Sequence, residues 1–323
     1  MADHFLSCDW GTSSFRLKLI ETPSLYVIGE ESSGKGIASV YNEWEQQEYI
    51  AQVKRQFFYL SILKAHINNI SRKTGLDLYG VPVVLSGMAS STIGIVDIPY
   101  TYLPFATDGS NINTHLIKAN SEFSHDVLII SGTRSADDVM RGEETQLIGC
   151  IGDDLGNKTT EQLYIFPGTH SKHIKVISGA VVAFTTYMTG EFFALLSKQS
   201  ILHTAVEKSV SGTPSDSFMK GAKQAAEGNL LHLAFMVRTN NLFKNISKEQ
   251  NFDYLSGLII GTELKDLLHT QADVFLCCNS NIEQYYSAAL TALGLDKKVK
   301  IFSSGKVDAS VITGQYKILQ SKR

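Results

Sequence analysis

Cys8-Asp9-Trp10-Gly11-Thr12-Ser13 and Phe166-Pro167-Gly168-Thr169-His170-Ser171 are the two stretches that decide how this chain is read. With Gly11 set on Gly168, Thr12 falls on Thr169. Arg16 then falls without a gap on His173, Leu17 on Ile174, Lys18 on Lys175 and Leu19 on Val176. Each copy runs from an apolar strand through a glycine turn into a strand of alternating polar and apolar residues. That pattern predicts a β-hairpin whose tip presents backbone N–H groups and hydroxyls. Such a tip suits phosphate. Two of them facing each other across a cleft hold a polyphosphate from both sides, given backbone donors and a carboxylate for the accompanying cation. The alternative is a pair of ordinary hairpins, since Gly-Thr turns are common.

The rest of the composition narrows the partners. At 323 residues, with 43% hydrophobic and 19% charged, the chain has room for about two globular domains. A formal net charge of -3, with 29 Lys and Arg scattered along the sequence, argues against a nucleic-acid binder and for a small molecule. Cys8, Cys150, Cys277 and Cys278 lack metal-ligand spacing and read as reduced core residues. The first residues contain Asp3 and His4 and then only a brief apolar run, so neither a secretory signal nor a membrane span is expected, and the cytoplasm follows. The oligomeric state is open, a homodimer included.

Along the chain, His4 to Ser32 reads as three strands. The loop Ser32-Ser33-Gly34-Lys35-Gly36 follows, then a helix over 42–71 and a strand over 81–86 ending at Gly87. Val127 to Ser131 reads as a buried strand and Ala136 to Ile151 as a helix. The polar, turn-rich segment 152–160 marks the domain boundary. From Gln162 the three-strand meander returns, followed by helices to Leu268, a strand over 274–278, and a closing helix, strand and helix. The order supports a duplicated α/β domain with a cleft between the halves.

Further motifs add a resemblance. Val139-Met140-Arg141-Gly142-Glu143-Glu144-Thr145-Gln146-Leu147-Ile148-Gly149, Pro167 to Lys172, Met188-Thr189-Gly190-Glu191 and Leu255-Ser256-Gly257-Leu258-Ile259-Ile260-Gly261 resemble 2-dehydro-3-deoxygalactonokinases, within the sugar kinase and actin-like ATPase superfamily. The likeness covers nearly the whole chain. It implies two duplicated actin-like ATPase (ribonuclease-H-like) domains. Residues 1–155 would carry the first phosphate hairpin and a sugar-acid site, and 156–323 the second hairpin and an adenosine site. It also implies an enzyme that uses ATP and Mg²⁺ to phosphorylate the terminal primary hydroxyl of 2-dehydro-3-deoxy-D-galactonate. A kinase of the gluconate epimer or another sugar acid, and a non-catalytic sugar-acid sensor on the same fold, are the competing readings.

The resemblance distributes roles over these residues. Asp9 is expected to hold Mg²⁺ through water, and Gly11, Thr12 and Ser13 to face the phosphates. Arg16 is expected to meet the transferring phosphoryl group. In the second copy Gly168, Thr169, His170 and Lys172 are the equivalents, with no acidic residue where Asp9 stands. Two carboxylates on the apolar stripe of the helix expected at 136–151, Glu143 and Glu144, must be paired or line a polar cleft. Asp138, Asp137 and Glu143 are the candidate general bases, with Asp138 and Glu143 foremost, although Ser135 and Asp138 also read as a capping box. Arg141 suits a substrate carboxylate or a bridge to Glu144 or Asp137. Gly34, Gly36, Gly87, Met88, Ser90 and Glu144 complete the substrate side. Asn279 and Ser280 stand where the family has a glycine beside the adenosine, Asn being the side chain that best tolerates a left-handed turn. Gly257 and Gly261 read as close-packing positions on an apolar helix. Gly29 to Gly36 matches a phosphate-binding P-loop except that Gly36 replaces the hydroxyl residue after the lysine.

Overall fold

A computed structural model describes residues 3–47, 54–152, 159–208 and 212–322. The chain divides into two compact units. The first comprises residues 1–158, 179–183 and 308–323, the second 159–178 and 184–307. The expected boundary at 155 lies outside the described residues.

In the first unit, β1 (His4–Trp10), β2 (Phe15–Glu21) and β3 (Val27–Ser33) form an antiparallel meander, followed by α1 (Ile37–Glu45) and α2 (Arg55–Thr74). The alternation of β2 is visible in its burial, with Phe15, Leu17 and Leu19 inside and Arg16 outside. α2 stops where the left-handed Gly75 caps it. β4 (Val83–Gly87) lies parallel to β1, with Asp9 opposite Ser86 and Trp10 opposite Gly87. β5 (Thr101–Tyr102), β6 (Phe105–Ala106) and β7 (Thr114–Ile117) lead to the buried β8 (Val127–Ile130), parallel to β4. The sheet order is β3-β2-β1-β4-β8-β7. Trp10, Phe15, Leu17, Leu19, Tyr59, Leu63, Ile67 and Val83 fill the core between this sheet and its helices.

The stretch expected as a helix over 136–151 differs. β9 (Thr133–Arg134) and β10 (Val139–Met140) form a short hairpin, and the helix α3 begins only at Glu143, running to Cys150. The hairpin turn is closed by Ser135, which takes the Asp138 N–H on its Oγ at 2.9 Å and donates its own N–H to the Asp138 carbonyl at 3.0 Å. Ser135 is thus a turn residue rather than a helix cap. Gly142, at φ 110°, makes the bend from strand to helix.

In the second unit, β11 (Gln162–Phe166), β12 (Ser171–Ile177) and β13 (Ala180–Tyr187) repeat the meander. α4 (Thr189–Lys198), α5 (Asp216–Glu227), α6 (Leu230–Leu242) and α7 (Lys248–Leu264) follow, then β14 (Asp273–Leu276), α8 (Ser280–Ala292), β15 (Val299–Ile301) and α9 (Ser304–Ser321). Strands run in the order β13-β12-β11-β14-β15, with β14 parallel to both β11 and β15. This repeats the order β3-β2-β1-β4-β8 of the first sheet. α5 and α7 approach closely because Gly221, Gly257 and Gly261 have no side chain. A Cβ on Gly257 would lie 2.0 Å from the Phe218 carbonyl oxygen, and one on Gly261 2.5 Å from that of Ala222.

Residues 308–323, which include most of α9, belong with the first unit. Gln315 donates to the Cys8 carbonyl and to Ser86 Oγ, both at 2.9 Å. A Cβ on Gly314 would lie 2.0 Å from the Thr145 carbonyl oxygen, so α9 and α3 touch backbone to backbone.

Candidate active site

The two Gly-Thr turns are built alike but not identically. In the first, Asp9 pairs with Arg16 and Trp10 with Phe15, leaving Gly11 to Ser14 as a four-residue turn closed by the Gly11 N–H on the Ser14 carbonyl at 2.9 Å. In the second, Phe166 pairs with Lys172 and Ile165 with His173, leaving Pro167 to Ser171 as five. The gapless match therefore holds on the outgoing strands and slips by one on the incoming ones. Ile165, not Phe166, is the ladder counterpart of Asp9, and it is apolar.

Each turn rests on a helix N-terminus through a glycine. A Cβ on Gly36 would stand 2.2 Å from the Thr12 carbonyl oxygen and 2.4 Å from Ser13 N, and the N–H groups of Ile37 and Ala38 donate to the carbonyls of Gly11 and Thr12 at 2.9 and 3.1 Å. In the second unit a Cβ on Gly190 would stand 2.8 Å from the Gly168 carbonyl oxygen, and the Glu191 N–H donates to that of Thr169 at 3.1 Å. The backbone carbonyls are thereby tied back to the helix. Gly36 is occupied in this packing, whereas nothing lies within 4 Å of a Cβ built on Gly34 or Gly168. The segment 29–33 belongs to β3, so it wraps no phosphate and the P-loop reading fails.

Asp9 stands at the carboxyl ends of the parallel strands β1 and β4, where ligands of α/β sheets bind. Its side chain is 29% exposed, and Arg16, at 62%, places Nη1 3.6 Å from Oδ2. Gly87, at φ 86°, forms the adjoining wall: a Cβ there would lie 2.8 Å from the Trp10 carbonyl oxygen and 3.3 Å from Asp9 Oδ1. The backbone of Gly142 lies against Gly87, and Glu143, next in the chain, adds its charge to the field at Asp9. Burial raises the Asp9 carboxyl, Arg16 opposes it and Glu143 reinforces it, for a net upward shift. Glu143 Oε2 accepts the Arg141 N–H at 3.0 Å.

Glu144 differs from expectation. It is fully buried, and both its oxygens accept the Gly142 N–H, at 2.9 and 2.8 Å, so it fixes the Gly142 bend instead of meeting substrate. Burial and the neighbouring Glu143 push its carboxyl up to about 8. Asp138 sits in the β9–β10 turn, accepting the Val139 N–H at 2.7 Å. Glu143 is thus the candidate base in electrostatic contact with Asp9, and Asp138 belongs to a separate turn.

Arg141 and Ser90 come together: Nη1 donates to Ser90 Oγ at 2.6 Å, and the guanidinium lies 4.5 Å above the Tyr100 ring. Arg141 is therefore held by Ser90 and Tyr100 rather than bridged to Glu144 or Asp137. Tyr100 escaped the sequence reading, because a lone aromatic forty residues upstream carries no local signal. Met88 and Ser90 form a single 3₁₀ turn after β4.

In the second unit Asn279 and Ser280 lie just beyond the end of β14. Asn279 is extended, at φ -75°, and caps α8 by accepting the Ile282 N–H, so the left-handed turn expected of it is absent. His170 pairs with Glu191, and Lys172 is buried with Nζ 3.3 Å from the His170 carbonyl oxygen. His170 and His173 have different carboxylate partners, and no group of three or more metal-ligating side chains occurs among the described residues. A cavity of about 140 Å³, open to solvent, adjoins this turn, lined among others by Gly168, Gly190, Phe193, Ile260, Ile282 and Tyr286. Behind it Glu263, 2% exposed, accepts from Ser171, His173, Thr189 and Tyr286. Burial raises its carboxyl, but the bonds from His173, Ser171 and Thr189 outweigh that and hold it below the usual range. Neither Glu263 nor Phe193 was named from sequence, although Gly190 and Ser256 lie in motifs that were.

A sheet order of β3-β2-β1-β4-β8 repeated in the second unit, with a braced Gly-Thr turn in each copy, is the actin-like ATPase fold. The model of the 2-keto-3-deoxy-galactonokinase family matches residues 9–312, and the chain belongs to that family of sugar kinases. It is 30% identical over 305 residues to a 2-dehydro-3-deoxygalactonokinase assigned in Rhizobium meliloti (strain 1021), covering 91% of each chain. Identity is also 30% over 225 residues to the 2-dehydro-3-deoxygalactonokinase of Escherichia coli (strain K12), covering 67% of this chain and 72% of the other. A crystal structure from Sinorhizobium meliloti assigned to the same kinases superposes with a TM-score of 0.79 at 27% identity, covering 98% and 96%. Among the described residues no helix is long and apolar enough to cross a membrane.

Proposed function

We propose that the chain transfers the γ-phosphoryl group of Mg-ATP to the terminal primary hydroxyl of 2-dehydro-3-deoxy-D-galactonate, giving the 6-phosphate in galactonate breakdown. The observation that carries this reading is the family match, which spans both Gly-Thr turns and the Arg141 to Glu144 segment.

Asp9 has the character a magnesium site requires. It is a half-buried carboxylate cradled by a glycine wall, with Glu143 raising the local negative charge, and Mg²⁺ takes one or two protein carboxylates and fills its remaining positions with water and phosphate. Bound there, Mg²⁺ would neutralise charge on the β- and γ-phosphates. The N–H groups and hydroxyls of Thr12 and Ser13 would face those phosphates, and Arg16 the equatorial oxygens of the group in flight. Glu143 would accept the proton of the attacking hydroxyl. Arg141, steadied by Ser90 and Tyr100, would hold the sugar-acid carboxylate.

In the second unit Gly168, Thr169 and the adjoining cavity would take the far phosphates and the nucleoside, whose flat apolar base suits Phe193, Ile260 and Ile282. Residues 1–155 and 156–323 would thus divide the work into sugar-acid and nucleoside halves. ADP release from Mg-ATP, followed with 2-dehydro-3-deoxy-galactonate, its gluconate epimer, galactonate and no sugar, tests the reading. Turnover with the galacto compound above all others is expected. ADP release no greater than in the sugar-free control would refute it.

A further inference from the structure

Glu263 stands outside every step of phosphoryl transfer, yet it is among the best-satisfied polar groups in the second unit. Its Oε1 accepts Ser171 Oγ–H at 2.7 Å and His173 Nε2–H at 2.9 Å, and its Oε2 accepts Thr189 Oγ1–H and Tyr286 O–H, the latter at 2.7 Å. An ionised carboxylate only accepts, and four donors fill it. The donors come from separate elements. Ser171 ends the second Gly-Thr turn and His173 follows it in β12. Thr189 opens α4 directly before Gly190, the glycine pressed on that turn, and Tyr286 stands on α8. Gly168, Thr189, Gly190 and Tyr286 all line the same cavity.

A buried charge is a poor device for stability, since apolar side chains of equal volume do as well or better. Its advantage is directional: a fully satisfied network permits one arrangement of its donors. Here that arrangement sets the distance between a phosphate-facing turn and two walls of a cavity.

We infer that Glu263 is a positioning residue for the nucleotide, holding the second Gly-Thr turn, the start of α4 and Tyr286 of α8 in the spacing that ATP requires. The inference rests on the proposal that this turn and cavity take the nucleotide. The sugar-acid side, in the first unit, is not tied to Glu263 by any of these bonds.

The test uses the full chain and four measurements: kcat, the two KM values, ADP affinity by calorimetry, and the unfolding midpoint. Glu263→Gln keeps the volume but turns one acceptor oxygen into a donor amide, so hydroxyls on that side face N–H. KM for ATP and Kd for ADP are expected to rise about tenfold, with the sugar KM within about twofold of wild type, as for loss of binding on one substrate alone. A purely structural role would instead lower the unfolding midpoint and the active fraction and leave both KM values alone. Should Glu263→Gln not fold, Ser171→Ala and Thr189→Val, each removing a single donor, are expected to give the same split at smaller size. Unchanged ADP affinity in folded Glu263→Gln, or in both single-donor variants, overturns the inference, as does an equal rise in both KM values. Gly190→Ala separates the two levels, because it crowds the turn directly. If it weakens ADP binding while Glu263→Gln does not, only the role of Glu263 falls. If wild type binds no ADP, or Gly190→Ala binds it as wild type does, the nucleotide reading falls and the inference with it.

Discussion

Asp9 and Glu143 are two carboxylates proposed for different uses, each within two positions of a glycine, Gly11 and Gly142. Asp9→Asn keeps the shape and removes the charge, so turnover is expected to fall at least about a hundredfold, the scale of losing one preorganised electrostatic group, with the unfolding midpoint unchanged. Glu143→Gln is expected to lower kcat by about 10² to 10⁴ with little change in KM, as for a general base, while Asp138→Asn, in its separate turn, stays near wild type; steady-state rates of the three variants check this. Glu144 makes a pH prediction. Its folded value, about 8, lies above the ordinary 4.5, so the native state holds a proton that the unfolded state has lost between those limits. Stability should therefore fall as pH rises from about 5 to 8, by at most about 1.4 kcal/mol per unit, and urea unfolding of Glu144→Gln should lack that part of the slope. Asp9, Arg16, Ser90, Arg141 and Glu143 could be proposed from the sequence because they sit in motifs. Tyr100 and Glu263 were not, because their roles arise only when segments distant in sequence fold together. Glu144 was misassigned for a related reason: sequence shows two adjacent acids, and only the Gly142 bend decides that one points inward.

The helix-borne glycines carry the test at the level of elements. Gly36→Ala and Gly190→Ala each put a methyl into a turn carbonyl, so both should impair ATP use, whereas Gly34→Ala, with open space around its Cβ, should not; KM for ATP in the three variants decides it. The duplicated meander was readable from strand alternation and the repeated Gly-Thr. What misled was the 136–151 stretch. Val139, Met140, Leu147, Ile148 and Ile151 fit a helical stripe, but Gly142 at φ 110° cuts it, and Val139 and Met140 pair with β9 instead. Periodicity records which residues are apolar and does not record where the backbone turns. Asn279 gave the opposite lesson: its tolerance of left-handed geometry goes unused, and its side chain caps a helix.

At the level of the molecule, the sequence order β-β-β-α-β twice over was enough to expect two α/β units, but not that residues 308–323 return to the first. Nothing local marks that return. It depends on Gly149 and Gly314, whose missing side chains let α3 and α9 meet, and on Gln315 reaching β1 and β4. Gly314→Ala should therefore destabilise the first unit by about 1–3 kcal/mol, the usual cost of overpacking, seen as a lower unfolding midpoint with ATP affinity retained in the folded fraction. Phosphorus NMR of the wild-type chain with Mg-ATP and 2-dehydro-3-deoxy-galactonate should show a new phosphomonoester signal, split by two equivalent-order protons of a primary carbon and growing in step with ADP. Inorganic phosphate as the sole new signal, or a phosphomonoester split by a single proton, would contradict the account.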